Sequence, residues 1–103
     1  MKGAYSYMDK VYQNITNDDF DRLLHLYFTR THRFIDISYI GLNSRARRFA
    51  YHKGIQNVGE LVQLVRQYKT LEEMSTKFDG VGISTCKHIV YVLLKVYDDM
   101  KRK

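Results

Sequence analysis

The sequence contains no proline and no tryptophan, and only one cysteine and six glycines in 103 residues. The lone cysteine, Cys86, cannot form an internal disulfide, and the four histidines lack the spacing of metal ligands. No stretch approaches the ~20 apolar residues of a membrane span, and the first residues lack the apolar core of a signal peptide. We therefore expect a cytoplasmic protein that has no cofactor and no contact with the membrane. Hydrophobic residues (45%) and charged residues (27%) are in the balance of one folded domain spanning 1–103.

Positive charge is concentrated in the later part of the chain. Lysine and arginine number 17 against 11 acidic residues, a net charge of +6, and residues 1–40 hold equal numbers of both signs. The whole excess therefore lies in residues 41–103. Such an asymmetry favours a polyanionic partner, but a basic surface that only keeps the protein dissolved remains an equal alternative.

The spacing of apolar residues predicts helices along nearly the whole chain. Good capping residues precede several of them (Asn17, Asn43 or Ser44, Asn57 and Thr70), and Gly54 suits a left-handed helix end. Tyr27 falls on the apolar stripe of the second predicted helix. Residues 34–40 are β-branched and aromatic, which predicts an extended connector packed on the core. The predicted helices cover about 5–14, 18–29, 44–53, 57 onward, 70–77 and 84–100. The expected fold is all-α, a compact bundle of five or six short helices, with an N-terminal extension (1–40) before a core (41–100).

The segment from Phe78 to Ile89 resembles the helix-hairpin-helix motif of DNA-binding proteins. Gly80 and Gly82 flank the apolar Val81 between two predicted helices, and both glycines permit positive φ. The N–H groups of such a hairpin and of the following helix turn can bind a phosphate. The candidate phosphate contacts are Gly80, Gly82, Ser84, Thr85, Lys87 and His88. The alternative is that Gly-Val-Gly is only a tight turn between helices.

Three arginines, Arg45, Arg47 and Arg48, open the helix predicted to begin near Ser44. Basic residues oppose the dipole at a helix N-terminus, which favours a functional role for this cluster over a solvated face. Arg45 and Arg48 share one side of the helix and are candidate DNA contacts. Tyr51 follows the cluster and is the best candidate among the nine tyrosines for stacking on a base.

Residues of about 40–97 resemble the C-terminal domain of the bacterial RNA polymerase alpha subunit. The shared pattern is Leu42-x-x-Arg45, Gly54-Ile55, the block Val58-Gly-Glu-Leu-Val-Gln63, Gly82-x-x-Thr85 and Ile89. This resemblance implies a compact helical domain with two helix-hairpin-helix-type units, which binds the minor groove of A/T-rich promoter DNA and contacts activators. It also implies a groove-inserting role for Arg45, a phosphate contact for Gly82 and a hydroxyl contact for Thr85. Arg48, Ser84 and His88 depart from the family's asparagine, lysine and acidic residue. The first 40 residues match no family we can name.

The expected function is therefore binding of double-stranded DNA, in transcription or a related DNA transaction of a bacterium, a phage or a mobile element. RNA polymerase or a transcription factor is the expected protein partner. We expect no enzymatic activity, because helix-hairpin-helix glycosylases need a catalytic residue in a cleft between two lobes. The alternative is a protein–protein interaction module of a transcription or mobile-element complex that does not itself bind DNA.

Overall fold

The computed structural model describes residues 12–78 and 81–101 of the chain. This part is all-α: it contains six α-helices, two short 3-10 turns (Tyr12–Asn14 and Ile37–Tyr39) and no β-strand. The helices are α1 (Asn17–His25), α2 (Arg30–Arg33), α3 (Ser44–His52), α4 (Val58–Val65), α5 (Leu71–Lys77) and α6 (Ile83–Lys101). The predicted fold class and helix number are confirmed. Within the described ranges, no helix has both the length and the apolar character needed to cross a bilayer.

The long helix α6 lies at the centre of the packing. It contacts α1, α2, α3, α5 and the first 3-10 turn. The apolar residues spaced along it at helical intervals are buried, with Cys86, Ile89, Val90 and Leu93 inaccessible to solvent. Val92 is also buried, so α6 is covered on more than one side, as a helix surrounded by others must be.

Helix α5 packs against α6, and the predicted capping residues define the ends of α3 and α4. The Asn43 side chain accepts a hydrogen bond from the N–H of Ala46 at 2.9 Å, and that of Asn57 accepts one from Glu60 at 2.9 Å. Gly54 closes α3 with a φ of 73°, the left-handed conformation that glycine adopts without steric cost. These local predictions are confirmed.

The predicted helix over 18–29 is wrong at both ends. Thr16, rather than Asn17, caps α1, and Asn17 instead accepts a hydrogen bond from the N–H of Leu71 at 2.9 Å, which ties α1 to α5. Helix α1 ends at His25, and Thr29 caps the separate helix α2. Tyr27 lies between the two helices and is 73% exposed, so its predicted place in the core is wrong.

The connector before α3 is not extended as predicted. The Asp36 carboxylate accepts a hydrogen bond from the N–H of Ser38 at 2.9 Å, which starts the second 3-10 turn. Hydrogen bonding to Ser38, mainly to its backbone N–H and secondly to its side chain, lowers the pKa of the Asp36 carboxyl below its ordinary value. Only an isolated bridge, Asp36 to Asn57, has β geometry within the described ranges. Of the helix predicted over about 5–14, residues 5–11 lie outside the described residues and 12–14 form a 3-10 turn.

Candidate nucleic-acid interface

A hydrogen bond joins the N-terminus of α3 to the second turn of α6. The N–H of Asn43, the residue before α3, donates to Nε2 of His88 in α6 at 2.9 Å. The accepting nitrogen carries no proton, so a neutral ring has its proton on Nδ1. The ring of His88 also packs nearly perpendicular to the ring of Tyr12, with the ring centroids 5.1 Å apart. This arrangement fixes the start of α3 against the first turns of α6.

The start of α6 is open to solvent where the sequence predicts a phosphate contact. Gly82 and Ser84 are exposed. The carbonyl of Gly82 accepts hydrogen bonds from the N–H groups of Thr85 (3.1 Å) and Cys86 (3.2 Å), which places Gly82 at the N-cap of α6. A Cβ on Gly82 would meet nothing within 4 Å. Within the described residues, positive φ occurs only at Gly41 and Gly54, so Gly82 does not use the positive φ that glycine permits. Gly80 lies outside the described residues.

Three other predicted contacts are used by the fold itself. Thr85 and His88 are buried, with 5% and 8% of their surface exposed. Both side chains are therefore largely inaccessible to solvent, and Nε2 of His88 accepts a hydrogen bond from the N–H of Asn43. Lys87 is half-buried, and its ammonium group donates to the carbonyl of Gln13 at 3.2 Å. Lys87 therefore holds the first 3-10 turn against α6.

The arginines of α3 differ in what they contact. Arg45 and Arg48 are exposed, and neither forms an ion pair within the described part of the chain. Arg47 donates from Nη2 to the carbonyl of Leu42 at 3.1 Å, so its guanidinium is held by the backbone before α3. No acidic residue occurs in 41–59, so nothing in this stretch neutralises the cluster. Arg45 and Arg48 are thus the available cations beside the N-terminus of α3.

A groove of about 830 Å³ lies along α3, beside these arginines. Arg48 and Tyr51 line it, together with the apolar side chains of Ile37 and Ile55 and the carboxylate of Asp36. Tyr51 is 83% exposed, so its ring is accessible, which stacking on a base would require. An exposed aromatic face next to a guanidinium is the combination that binds an unpaired base.

Sequence reasoning missed the role of Asn43 beyond capping and the position of His88. Asn43 carries a recognisable capping signal, but its N–H contacts a residue 45 positions away, and no local pattern encodes that contact. The burial of Thr85 carries a weak signal, because Thr85, Ile89 and Val92 are spaced along one side of α6.

Cys86 has the environment of a packing residue. Its side chain is fully buried, and this desolvation raises the pKa of the thiol to about 11. A protonated, inaccessible thiol is a poor nucleophile and a poor metal ligand. Across residues 12–78 and 81–101, no three His, Cys, Asp or Glu side chains lie close enough together to hold a metal ion.

Comparison of the chain with protein-family models, with curated proteins and with solved structures gave no match. The resemblance to the polymerase alpha C-terminal domain therefore depends on the sequence blocks quoted above and stays an expectation.

Proposed function

We propose that this protein binds duplex DNA through the exposed residues at the N-termini of α3 and α6, here called the paired-terminus surface. It comprises Ser44, Arg45, Arg48, Gly82 and Ser84. The observation that carries the proposal is the hydrogen bond from Asn43 to His88, because it holds the N-terminus of α3 against the second turn of α6, close to the start of that helix. Each terminus presents N–H groups without an intrahelical partner and the positive end of a helix dipole.

Charge supports an anionic ligand at this surface. Arg45 and Arg48 add two full positive charges beside the partial charges of the helix ends, and no acidic side chain occurs in 41–59. Two helix N-termini together with exposed arginines are suited to the oxygen atoms of successive phosphates. We propose that Gly82 and Ser84 contact phosphates through the backbone of α6, while Thr85, Lys87 and His88 support that backbone.

Arg45 is the residue we propose to enter the minor groove. The narrow minor groove of A/T-rich DNA has an enhanced negative potential that attracts an inserted arginine. The matched position in the polymerase alpha family implies the same role. The resemblance supports a role in transcription or a related DNA transaction. Its setting would be the cytoplasm of a bacterium, or of a host of phage and mobile elements.

Titration of the whole chain with labelled duplex DNA tests the proposal. Two duplexes of equal length, one A/T-rich and one G/C-rich, are titrated by fluorescence anisotropy at low and at physiological salt. Six or fewer phosphate contacts give a slope of log affinity against log salt no steeper than about −5, with roughly micromolar or weaker affinity at physiological salt. The absence of binding at low salt would overturn the proposal and favour the interaction module.

A further inference from the structure

A second concave surface lies between α2 and α4. Its volume is about 390 Å³, and Tyr27, Phe34, Arg30, Arg33 and Arg66 line it. We call it the aromatic–arginine groove. Tyr27 is 73% exposed and Phe34 is 71% exposed, although both are large and largely apolar. Two exposed aromatic rings on the rim of one groove are a feature of protein-binding surfaces, whereas isolated exposed rings are ordinary.

The base of the groove is tightly packed. A Cβ on Gly59 of α4 would lie 2.9 Å from the Cβ of Arg33, so the absence of a side chain at Gly59 lets α2 approach α4 closely. Arg66 donates from Nη2 to the carbonyls of Leu23 and Leu26, and its guanidinium lies 5.8 Å from the centre of the Phe28 ring. Arg66 is therefore part of the wall, and its position is fixed before any ligand arrives.

Arg30 and Arg33 remain available to a ligand. Neither forms an ion pair with any carboxylate in the described part of the chain. Glu60 is the acidic residue in the lining, and its Oε1 already accepts a hydrogen bond from the N–H of Gln56 at 2.6 Å. Three arginines against one carboxylate leave the groove positively charged.

The aromatic–arginine groove is distant from the paired-terminus surface. Tyr97 of α6 packs against two rings of the α2 region, that of Phe28 just before α2 and that of His32 within it. The ring centroids are 5.5 Å apart in both pairs. Tyr97 lies 14 residues after Ile83, the first residue of α6, and at 1.5 Å per residue this places α2 roughly 20 Å along the helix from its N-terminus. The two surfaces thus lie near opposite ends of α6, and both can be occupied at once.

We propose that the aromatic–arginine groove binds an acidic peptide segment of a partner protein, with an aromatic or aliphatic side chain of the peptide held between Tyr27 and Phe34. Arg30 and Arg33 would pair with carboxylates of the peptide, and the arginine fork suits such bidentate contacts. A groove of this volume, with two exposed aromatic rings, holds one or two side chains, which favours a peptide segment over a phosphate backbone.

Amide chemical shifts of the ¹⁵N-labelled whole chain test this inference. The probe is a synthetic peptide of aspartate and glutamate residues with one phenylalanine and one leucine. Two comparison peptides replace either the acidic residues with glutamine or the two apolar residues with serine. We expect saturable shifts at residues 27–34 and 57–63 with the probe, and much smaller shifts with both comparison peptides.

Variants separate the groove from general charge attraction. Phe34→Ala and the double change Arg30→Ala with Arg33→Ala should each weaken probe binding at least about tenfold, a change typical of central contact residues. Tyr39→Ala is the matched control, because Tyr39 is 84% exposed but lies outside the groove. Circular dichroism checks that each variant is folded.

Three outcomes overturn the inference: no shifts in the groove, equal shifts with the glutamine or serine peptides, or equal loss of binding in Tyr39→Ala. Single-stranded DNA that shifts the same amides and is lost in Phe34→Ala would instead assign the groove to nucleic acid. The duplex titration at the paired-terminus surface is independent of these measurements, so failure of one proposal leaves the other standing.

Discussion

The backbone N–H of Asn43 donates a 2.9 Å hydrogen bond to Nε2 of His88, 45 residues later in the chain. The bond pairs a backbone donor just before α3 with an imidazole that is 8% exposed. It also sets the position of α3 relative to the start of α6, which is the geometry on which the proposed DNA surface depends. We therefore propose that the buried His88 positions this surface and does not itself contact DNA.

His88→Phe should separate the two helix ends, because phenylalanine keeps an aromatic ring but offers no acceptor to Asn43. A fully buried donor left without a partner costs about 1–3 kcal/mol; the N–H of Asn43 is part-buried, so we expect the free energy of unfolding in urea to fall by about 1 kcal/mol, the lower end of that range. Duplex affinity should fall on A/T-rich and G/C-rich DNA alike. His88→Gln is the control, since its amide oxygen can accept the bond. Wild-type stability and affinity in His88→Phe would contradict the positioning role.

Arg45→Ala should lose about 1–3 kcal/mol of binding free energy on A/T-rich duplex and less on G/C-rich duplex. The exposed side chain leaves no cavity, so the free energy of unfolding should change by less than about 0.5 kcal/mol. Anisotropy titrations of both duplexes and urea unfolding measure the two effects.

Arg47→Ala is the matched control for Arg45, because the Arg47 guanidinium donates to the carbonyl of Leu42. Its removal should affect stability more and DNA binding less than removal of Arg45. Equal losses for the two variants on both duplexes would indicate a diffuse basic face and would contradict the groove-inserting role of Arg45.

Gly59→Ala should destabilise the fold, although alanine is normally favoured over glycine inside a helix by about 1 kcal/mol. The new Cβ would lie 2.9 Å from the Cβ and 3.3 Å from the carbonyl oxygen of Arg33, so α2 must move away from α4. Overpacking of this kind typically costs about 1–3 kcal/mol, which outweighs the gain in helix propensity. Urea unfolding measures the sign of the change. A variant more stable than the wild type would show that α2 can move away from α4 without loss of stability.

Much of the fold could be predicted because its signals are local. Asn57 and Thr70 stand three residues before glutamates, and each caps the helix that follows it. Gly54 ends α3 as its position indicates. The apolar spacing of α4 and α6 likewise marks the side that faces the core.

The failures have both local and non-local causes. Tyr27 fits the apolar spacing of α1, but a local signal outweighs that spacing: Thr29 and His32 form a cap that begins a new helix and leaves Tyr27 exposed. Thr85 and His88 are polar and were expected at the surface. They are buried because α6 is enclosed by several elements, among them α3 and the first 3-10 turn. Which side of a helix is enclosed depends on distant residues, so the sequence of α6 alone could not distinguish exposed Ser84 from buried His88.

Gly82→Asp should separate binding from stability at the N-terminus of α6. Gly82 occupies the N-cap and does not adopt positive φ, and a Cβ at this position would meet nothing within 4 Å, so a side chain fits there. Aspartate is a favourable N-cap and interacts well with the helix dipole, so the free energy of unfolding should stay equal or rise by up to about 0.5 kcal/mol. The same carboxylate would occupy the proposed phosphate position and repel DNA, so duplex affinity should fall.

Gly82→Ser is the control, because serine caps the helix without a charge and should retain most of the affinity. Anisotropy titrations and urea unfolding of both variants provide the measurement. Equal affinity of Gly82→Asp and Gly82→Ser for duplex DNA would mean that no phosphate lies at this helix end, and the paired-terminus surface would then lose its contribution from α6.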